Sequence, residues 1–458
     1  MPSFASTSKA TPPNHELIKM ILNLKKNNYK KYFNKSVSFI LLLLICFISG
    51  CQNGNISDNS TQNGVTKITF WHGINPPENR VIFEELLADF NEANEDIEVE
   101  ALYVGQPDEQ LPKIIAAIAG AQPPDVLWYV PQLTGKLVEL EAIKPLQQWW
   151  SNSSIKDEID PAMLSTMKLN DNIWSVPFAT NNAAMFYRPS LFEEAGITET
   201  PKTWSEFKDV AEKLTKDKNN DGIVDQNGVL LAVGKGEFTV FVWLPFIFSA
   251  EGTLLDGNNQ VNIVNSGVET ALTLGRELVE EKTAILSAPD RGYELDNFIN
   301  GKVAMQITGP WTLAQLKQSG VDYAVFPLPK IVNSSAILGG ESLFVFKTNE
   351  QREAASLKFL EYILSADFQT QWALKTGYLP INVNAQNSPE YQQFVKDNPA
   401  LEVFLEQMKV AQSRPIVADY PTISENLGRA IESSLLGNKT PQKALIDSQK
   451  RIDLNINK

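Results

Sequence analysis

The chain has 458 residues, of which 43% are hydrophobic and 21% are charged, and its formal net charge is −14. This acidic balance argues against nucleic acid as a partner, because binding nucleic acid requires a net basic surface. The chain contains two Cys and two His, so disulfide frameworks and Cys-rich or multi-His metal sites are all but excluded. A chain of this length and apolar content predicts two or three packed domains.

Residues 1–50 have the features of a secretory signal. Several lysines between Lys25 and Lys35 precede an apolar run from Phe39 to Ile48, and this run is too short for a membrane-spanning helix. The following Ile-Ser-Gly-Cys51 resembles a bacterial lipobox. That resemblance implies cleavage before Cys51 and its lipidation, which would anchor the protein outside the cytoplasm, at the periplasmic face of the membrane or at the cell surface. An uncleaved anchor helix is the alternative.

The rest of the chain predicts a tether followed by an α/β fold. Residues 51–64 are mainly Asn, Gln, Ser, Thr and Gly, and we expect a flexible tether there because such residues bury little apolar surface. From Val65 onward, strand-like and helix-like patterns alternate, as in strand 97–104 and helix 80–91. This alternation predicts mainly parallel sheets flanked by helices. About 400 residues of it exceed one comfortable core, so two lobes are expected.

Short blocks spread over residues 65–455 resemble a known family. The blocks are Ile68–Gly73, Pro124–Tyr129, Trp174–Phe178, Met185–Arg188, Pro201–Phe207, Phe298–Met305, Gly309–Trp311, Gly339–Glu341, Lys375–Ile381 and Lys439–Leu445. Each is weak alone, but their order along the chain is specific. On these blocks the chain resembles the family 1 extracellular solute-binding proteins, the receptors of carbohydrate ABC importers. Gly340, residues 376–380 and Thr440 are most similar to the glycerol-3-phosphate and polyol branch.

The resemblance implies the two-lobed periplasmic-binding-protein fold, with the ligand in a cleft between the lobes. The first lobe would comprise residues 65–177 and 340–378, and the second would comprise residues 180–338 and 382–458. A ligand that contacts both lobes favours the closed state, which a two-subunit ABC permease with a cytoplasmic ATPase would recognise. We expect a monomeric receptor with no catalytic residues and no cofactor.

A sugar ligand needs flat apolar surfaces for its C–H faces and hydrogen-bonding groups for its hydroxyls. Candidate residues of these types stand at predicted strand ends and crossovers: Trp71, His72, Tyr129, Gln132, Asn181, Trp243, Trp311, Gly340, Glu341, Tyr378, Arg414 and Tyr420. Trp311 is the best candidate for stacking on a sugar ring, and burial in the core is the alternative for Trp71, Trp243 and Trp311. Trp128 and Tyr129 end a strand on opposite faces, and the resemblance favours Tyr129 as the ligand-facing member.

The phosphate-binding branch implies a Tyr and a Glu in the first lobe, where this chain has Asp108 and Pro131. An added acid and a missing Tyr disfavour a phosphate dianion. We therefore expect a neutral sugar, glycoside or polyol as ligand, with glycerol-3-phosphate as the alternative. A secreted glycoside hydrolase, which needs only two carboxylates and aromatic subsites, is the less favoured alternative from another class.

Residues 217–225 resemble the first part of a calcium-binding loop. Oxygen-bearing side chains occupy loop positions 1, 3, 5 and 9, and Gly222 occupies position 6; these side chains are Asp217, Asn219, Asp221 and Asp225. Position 12 is Gly228, so the bidentate Glu is missing. A plain polar turn is the favoured interpretation, and a weak structural calcium site is the alternative.

Overall fold

The computed structural model describes residues 61–62, 64–287 and 295–456, and the following account refers to these residues. Their strands are β1 (Thr61–Gln62), β2 (Val65–His72), β3 (Ile97–Tyr103), β4 (Val126–Tyr129), β5 (Lys168–Leu169), β6 (Asn172–Ile173), β7 (Val176–Pro177), β8 (Ala184–Tyr187), β9 (Asn227–Leu231), β10 (Ala284–Leu286), β11 (Val303–Thr308), β12 (Ala324–Phe326), β13 (Ala336–Ile337), β14 (Ser342–Val345) and β15 (Ala411–Gln412).

The helices of the same residues follow the strands in alternation through much of the chain. They are α1 (Pro77–Ala93), α2 (Pro107–Ala119), α3 (Thr134–Glu139), α4 (Gln147–Asn152), α5 (Leu164–Met167), α6 (Pro189–Glu194), α7 (Trp204–Leu214), α8 (Glu237–Ser249), α9 (Ser266–Glu280), α10 (Asp296–Ile299), α11 (Leu313–Ser319), α12 (Glu350–Leu364), α13 (Ala366–Thr376), α14 (Val383–Gln386), α15 (Pro389–Asp397), α16 (Ala400–Met408), α17 (Tyr420–Leu435) and α18 (Pro441–Ile456). Short 3-10 helices cover Pro131–Leu133, Ser154–Asp157, Pro161–Met163 and Pro310–Thr312.

The first sheet is built on β2, whose side chains alternate between the core and the surface. Ile68 and Phe70 are buried, while Lys67, which precedes Ile68, is exposed, and each such buried side chain contributes about 1.5–3 kcal/mol. β3 and β4 pair with β2 in parallel, and β14 joins β4 to β7. β1 pairs with the start of β2 as a short antiparallel hairpin, so the end of the predicted flexible tether is ordered.

The second sheet has the strand order β10-β9-β11-β8-β12. The strands β10, β9 and β11 are parallel, and β8 is antiparallel to both of its neighbours. In each sheet, one strand that the chain enters from the other sheet is antiparallel to both of its neighbours. This strand is β14 in the first sheet and β8 in the second. The chain reaches each of these two strands directly from the other sheet, without the helical crossover that a parallel connection requires. Apart from these two strands and β1, the strands of the two sheets follow the predicted parallel arrangement.

We call the parts built on the first and second sheets the first and second lobes. The chain passes to the second lobe between β7 and β8, and it returns between β12 and β14. These two passages are hydrogen-bonded to each other, since the Gly339 N–H donates to the Asn181 carbonyl at 2.8 Å. Gly340 has φ +107°, and a Cβ there would stand 2.2 Å from the Ala179 carbonyl oxygen. Only glycine permits this close approach of the two passages.

A third passage follows α13. The Leu379 N–H donates to the Thr180 carbonyl at 3.0 Å, and the Thr180 N–H donates back to Leu379 at 3.1 Å. Beyond it, α14 and α15 pack against α13 of the first lobe, and the Asn382 side chain donates to the Leu364 carbonyl at 3.0 Å. Part of the segment that the sequence assigned to the second lobe therefore lies against the first lobe.

Two helices show how local sequence shapes the fold. α7 begins with a capping box, because the Glu206 N–H donates to the Thr203 hydroxyl at 3.3 Å and the Thr203 N–H donates to the Glu206 carboxylate at 3.1 Å. α8, whose sequence is almost continuously apolar, is buried along nearly its whole length. Among the residues described, no helix combines the length and the hydropathy needed to cross a membrane.

Candidate ligand-binding site

Two adjoining cavities lie where the lobes and the passages meet. The inner cavity, of about 80 Å³, is lined by residues of both lobes and by Asn181, Gly340 and Glu341 of the passages. The outer cavity, of about 760 Å³, shares Asp108 and Glu237 with it, among other residues. Typical small-molecule sites span about 300–1,000 Å³. Together the two cavities therefore offer the space of a small-molecule site with a narrow inner end.

Aromatic side chains from both lobes form the apolar walls of the inner cavity. Trp128 comes from the end of β4, Phe241 from α8, Trp311 from the 3-10 helix after β11, and Tyr378 from the third passage. The rings of Phe241 and Trp311 are in contact, with their centroids 6.2 Å apart. The six-membered ring of Trp311 also covers Gly309, where a Cβ would stand 2.0 Å from it. Flat apolar surfaces of this kind suit the C–H faces of a sugar.

A buried network of polar side chains closes the inner cavity on the second-lobe side. Glu237, at the start of α8, accepts hydrogen bonds from the Arg414 guanidinium at 2.5 Å and from the Tyr420 hydroxyl at 2.9 Å. The Ser424 hydroxyl donates to the other oxygen of Glu237. The side chains of Arg414 and Glu237 are 3% and 11% exposed. The Arg414 charge is therefore balanced inside the protein, without any ligand.

The pKa values of this network reflect its burial. Burial raises the pKa of Tyr420 well above its usual value, and the Glu237 carboxylate beside it acts in the same direction. Burial alone would lower the pKa of Arg414, but the negative charge of Glu237 outweighs it and the pKa is raised. Burial, Asp108 and Glu237 likewise raise the pKa of Tyr129. At neutral pH the two tyrosines remain neutral, and Arg414 stays charged.

Three carboxylates and one guanidinium line the inner cavity: Asp108, Glu237, Glu341 and Arg414. Carboxylate oxygens accept hydrogen bonds and suit hydroxyl donors. A dianionic phosphate, in contrast, would meet this excess of negative charge and a guanidinium that already has a partner. The arrangement can therefore bind a hydroxyl-rich ligand by stacking and hydrogen bonding, and its electrostatics disfavour an anion.

Comparison with known proteins agrees with this architecture. The family model described as "Bacterial extracellular solute-binding protein" matches residues 85–403, which is more than half of the chain. The chain belongs to this family. The resemblance found in the sequence is thereby confirmed, and the protein is an extracellular solute-binding protein.

This solute-binding protein has relatives and structural neighbours with several ligands. The sn-glycerol-3-phosphate-binding periplasmic protein UgpB of Salmonella typhimurium is 26% identical over 402 residues, covering 83% of this chain and 90% of that protein. The MalE domain of Bdellovibrio bacteriovorus, bound to maltotriose, superimposes with a TM-score of 0.76 at 23% identity, covering 86% of this chain and all of that one. UgpB of Mycobacterium tuberculosis, in complex with glycerophosphocholine, has a TM-score of 0.76 at 20% identity and covers 86% and 99%. These neighbours confirm the two-lobed fold.

The structure brings most of the predicted ligand-binding residues of the solute-binding protein to the two cavities. Six line the inner cavity: Asn181, Trp311, Gly340, Glu341, Tyr378 and Arg414. Tyr129 and Tyr420 line the outer cavity. Because Trp128 and Tyr129 face opposite sides of β4, Trp128 was expected in the core. It nevertheless lines the inner cavity, since both rings stand at the end of β4, where the strand meets the cleft. Contact with a ligand stays a prediction for all of them.

Four predicted residues lie away from both cavities. Trp243 is 2% exposed and donates through Nε1 to the Ala232 carbonyl at 2.9 Å, so it belongs to the second-lobe core. Trp71 packs against the hydrophobic cluster that contains Leu127 and Tyr129 of β4. Gln132 is buried, with 1% of its surface exposed. His72 is stacked on Phe70 with centroids 5.5 Å apart. Trp71 and Trp243 therefore pack in or against the hydrophobic core, which was the alternative position for both.

Sequence reasoning missed Glu237 and Phe241 as parts of the site, and it noted Asp108 only as a departure from the phosphate branch. A signal for Glu237 was present, because it is the one charged residue in the otherwise apolar helix α8. An isolated carboxylate at the head of a buried helix needs partners. Phe241 had no such signal, since every neighbouring position in α8 is equally apolar.

The loop of residues 217–225 forms a polar turn. The Gly222 N–H donates to Asp217 at 2.8 Å, the Ile223 N–H to Asp221 at 2.8 Å and the Lys218 N–H to Asp225 at 2.7 Å. Among the described residues, no three or more His, Cys, Asp or Glu side chains are grouped so that they could hold a metal ion. The turn thus accounts for these side chains, and calcium binding stays a prediction.

His72 offers a test of the first-lobe core. Burial and the nearby charge of Arg80 lower its pKa from 6.5 to about 4. Between about pH 6.5 and 4, His72 is therefore protonated in the unfolded chain but neutral in the folded chain. The free energy of unfolding falls as the pH drops through this window. The loss due to His72 should reach about 3 kcal/mol at pH 4.

The measurement is urea denaturation of wild type and His72→Gln at pH 7 and at pH 4. The variant should lose less free energy of unfolding between the two pH values, because Gln does not titrate, while the carboxylates contribute equally to both proteins. Equal pH dependence in the two proteins would show that His72 is accessible to solvent protons.

Proposed function

We propose that this solute-binding protein binds a neutral sugar, glycoside or polyol between its lobes and delivers it unaltered to the permease of an ABC importer. The observation that carries the proposal is the internal pairing of Arg414 with Glu237 at 2.5 Å. Because this guanidinium is already balanced, the site offers hydrogen-bonding groups rather than a free positive charge. The aromatic walls formed by Trp128, Phe241 and Trp311 supply the complementary stacking surfaces.

Ligand binding would act through the mechanics of the two lobes. Residues from both lobes and from the passages line the same cavity, so a ligand that fills it makes more contacts when the lobes are closed. Its binding energy then raises the population of the closed state. The permease would bind that state. The signal peptide, the lipid anchor at Cys51 and the tether lie almost wholly outside the described residues, and they stay predictions of the sequence.

The second candidate ligand is a glycerol phosphate ester. It is favoured by the 26% identity to the sn-glycerol-3-phosphate-binding protein of Salmonella typhimurium. The structure of the Mycobacterium tuberculosis relative with glycerophosphocholine shows a phosphodiester in this fold. The excess of carboxylates in the inner cavity argues against this candidate.

Isothermal titration against maltotriose, smaller sugars, polyols, glycerol-3-phosphate and glycerophosphocholine tests the proposal. We expect a neutral ligand to bind with a Kd in the micromolar range or below, and mass spectrometry should recover it unchanged. Tighter binding of either phosphate ester than of every neutral ligand would overturn the choice of ligand class. Cleavage of the ligand during incubation would overturn the assignment as a receptor.

A further inference from the structure

Asp108 connects the two lobes at the mouth of the inner cavity. It lies in the first turn of α2 in the first lobe, and both of its carboxylate oxygens accept from the Glu237 N–H of the second lobe at 3.1 Å. Glu237 is the first residue of the 13-residue helix α8. The residue before it, Gly236, supplies no side-chain cap. α8 therefore receives its N-terminal cap from the opposite lobe.

The close approach of Asp108 depends on the glycine at the start of α8. A Cβ at Gly236 would stand 2.5 Å from the Asp108 carboxylate, so any other residue would push the carboxylate away. The backbone there is ordinary, with φ −78°, and the glycine is needed for space rather than for conformation. The missing side chain at Gly236 therefore leaves room for the contact between the lobes.

The N-terminus of α8 would otherwise attract an anion from the cleft. Helix N-termini carry partial positive charge and N–H groups without intrahelical partners, and phosphate groups bind at such positions. In this protein a carboxylate of the chain itself occupies that position. A phosphate group could bind there only by displacing Asp108, and it would then lie beside both Asp108 and Glu237.

We propose that Asp108 determines ligand specificity by acting as an internal anion: it latches the two lobes through the N-terminus of α8, and it excludes anionic ligands from that position. The ligand class rests on the proposed function, whereas the latch does not. Asp108 is exposed at the edge of the cleft, so its replacement leaves the core intact.

Two variants separate the latch from the charge. Asp108→Asn keeps an oxygen that can accept from the Glu237 N–H but removes the charge, while Asp108→Ala removes both. Glu109→Gln is the matched control, because Glu109 is the exposed neighbour on α2 and lines neither cavity. Small-angle scattering without ligand measures lobe closure. Titration with inorganic phosphate, glycerol-3-phosphate and maltotriose measures selectivity.

We expect Asp108→Ala to have a larger ligand-free radius of gyration than wild type, and Asp108→Asn to remain close to wild type. Both variants should gain at least tenfold in affinity for glycerol-3-phosphate, and Glu109→Gln should change neither measurement. Unchanged scattering of Asp108→Ala would overturn the latch, and unchanged phosphate affinity in both variants would overturn the exclusion. A wild type that binds no neutral ligand would overturn the proposed function alone, since the scattering result does not depend on it.

Discussion

Glu237→Gln should lower the free energy of unfolding by about 3–5 kcal/mol, because it removes the carboxylate that is paired with the buried Arg414 guanidinium. The Arg414 side chain is 3% exposed, and the carboxylate of Glu237 lies 2.5 Å from its guanidinium. Arg414→Met should have a smaller effect, since the Glu237 carboxylate that it leaves unpaired still accepts hydrogen bonds from the Tyr420 and Ser424 hydroxyls. The double variant should lose less than the sum of the two single variants, because it removes both charges together.

Urea denaturation of the four proteins measures these differences. The matched control is Glu280→Gln, which breaks the Arg276–Glu280 pair on the surface of α9, where the side chains are 26% and 59% exposed. Solvent screens that pair, so its loss should change stability by less than about 1 kcal/mol. If Glu237→Gln lost no more than Glu280→Gln, the buried pair would not exist in solution, and the argument against anionic ligands would fall with it.

Trp311→Phe should weaken binding of the neutral ligand by about 1 kcal/mol or more, because the indole forms part of the wall of the inner cavity. Trp311 is 9% exposed and contacts Phe241, so some loss of stability is expected as well. A binding effect must therefore be separated from a packing effect.

Trp150→Phe provides that separation. Trp150 is 7% exposed in α4, contacts Trp149 with centroids 6.2 Å apart and lines neither cavity. This variant should lose stability while keeping the wild-type Kd. Titration and urea denaturation of both variants give the two quantities. Equal affinities for the two variants would place Trp311 in the core and remove it from the binding site.

Local patterns predicted much of the secondary structure and the ligand-facing character of several residues. The capping box of Thr203 and Glu206 is an interaction between neighbours in the chain, and the structure contains it. The alternation of β2 predicted which of its side chains are buried. The same local patterns favoured Trp311 over Trp243 as a stacking residue, but they could not show which of the two rings lines the cleft, because both are tryptophans beside apolar segments. Their difference depends on which face of α8 and which strand end meets the cleft.

By itself, the sequence predicted the alternating strands and helices from their periodicity and two lobes from its length, while the blocks that keep their order along the chain carried the resemblance to the family and its candidate site residues. Only the tertiary structure decided that Arg414 is balanced by Glu237, 177 residues away, and that Asp108 caps a helix of the other lobe, 129 residues away. The charge that a ligand meets depends on such contacts between distant segments. No local pattern of residues contains them.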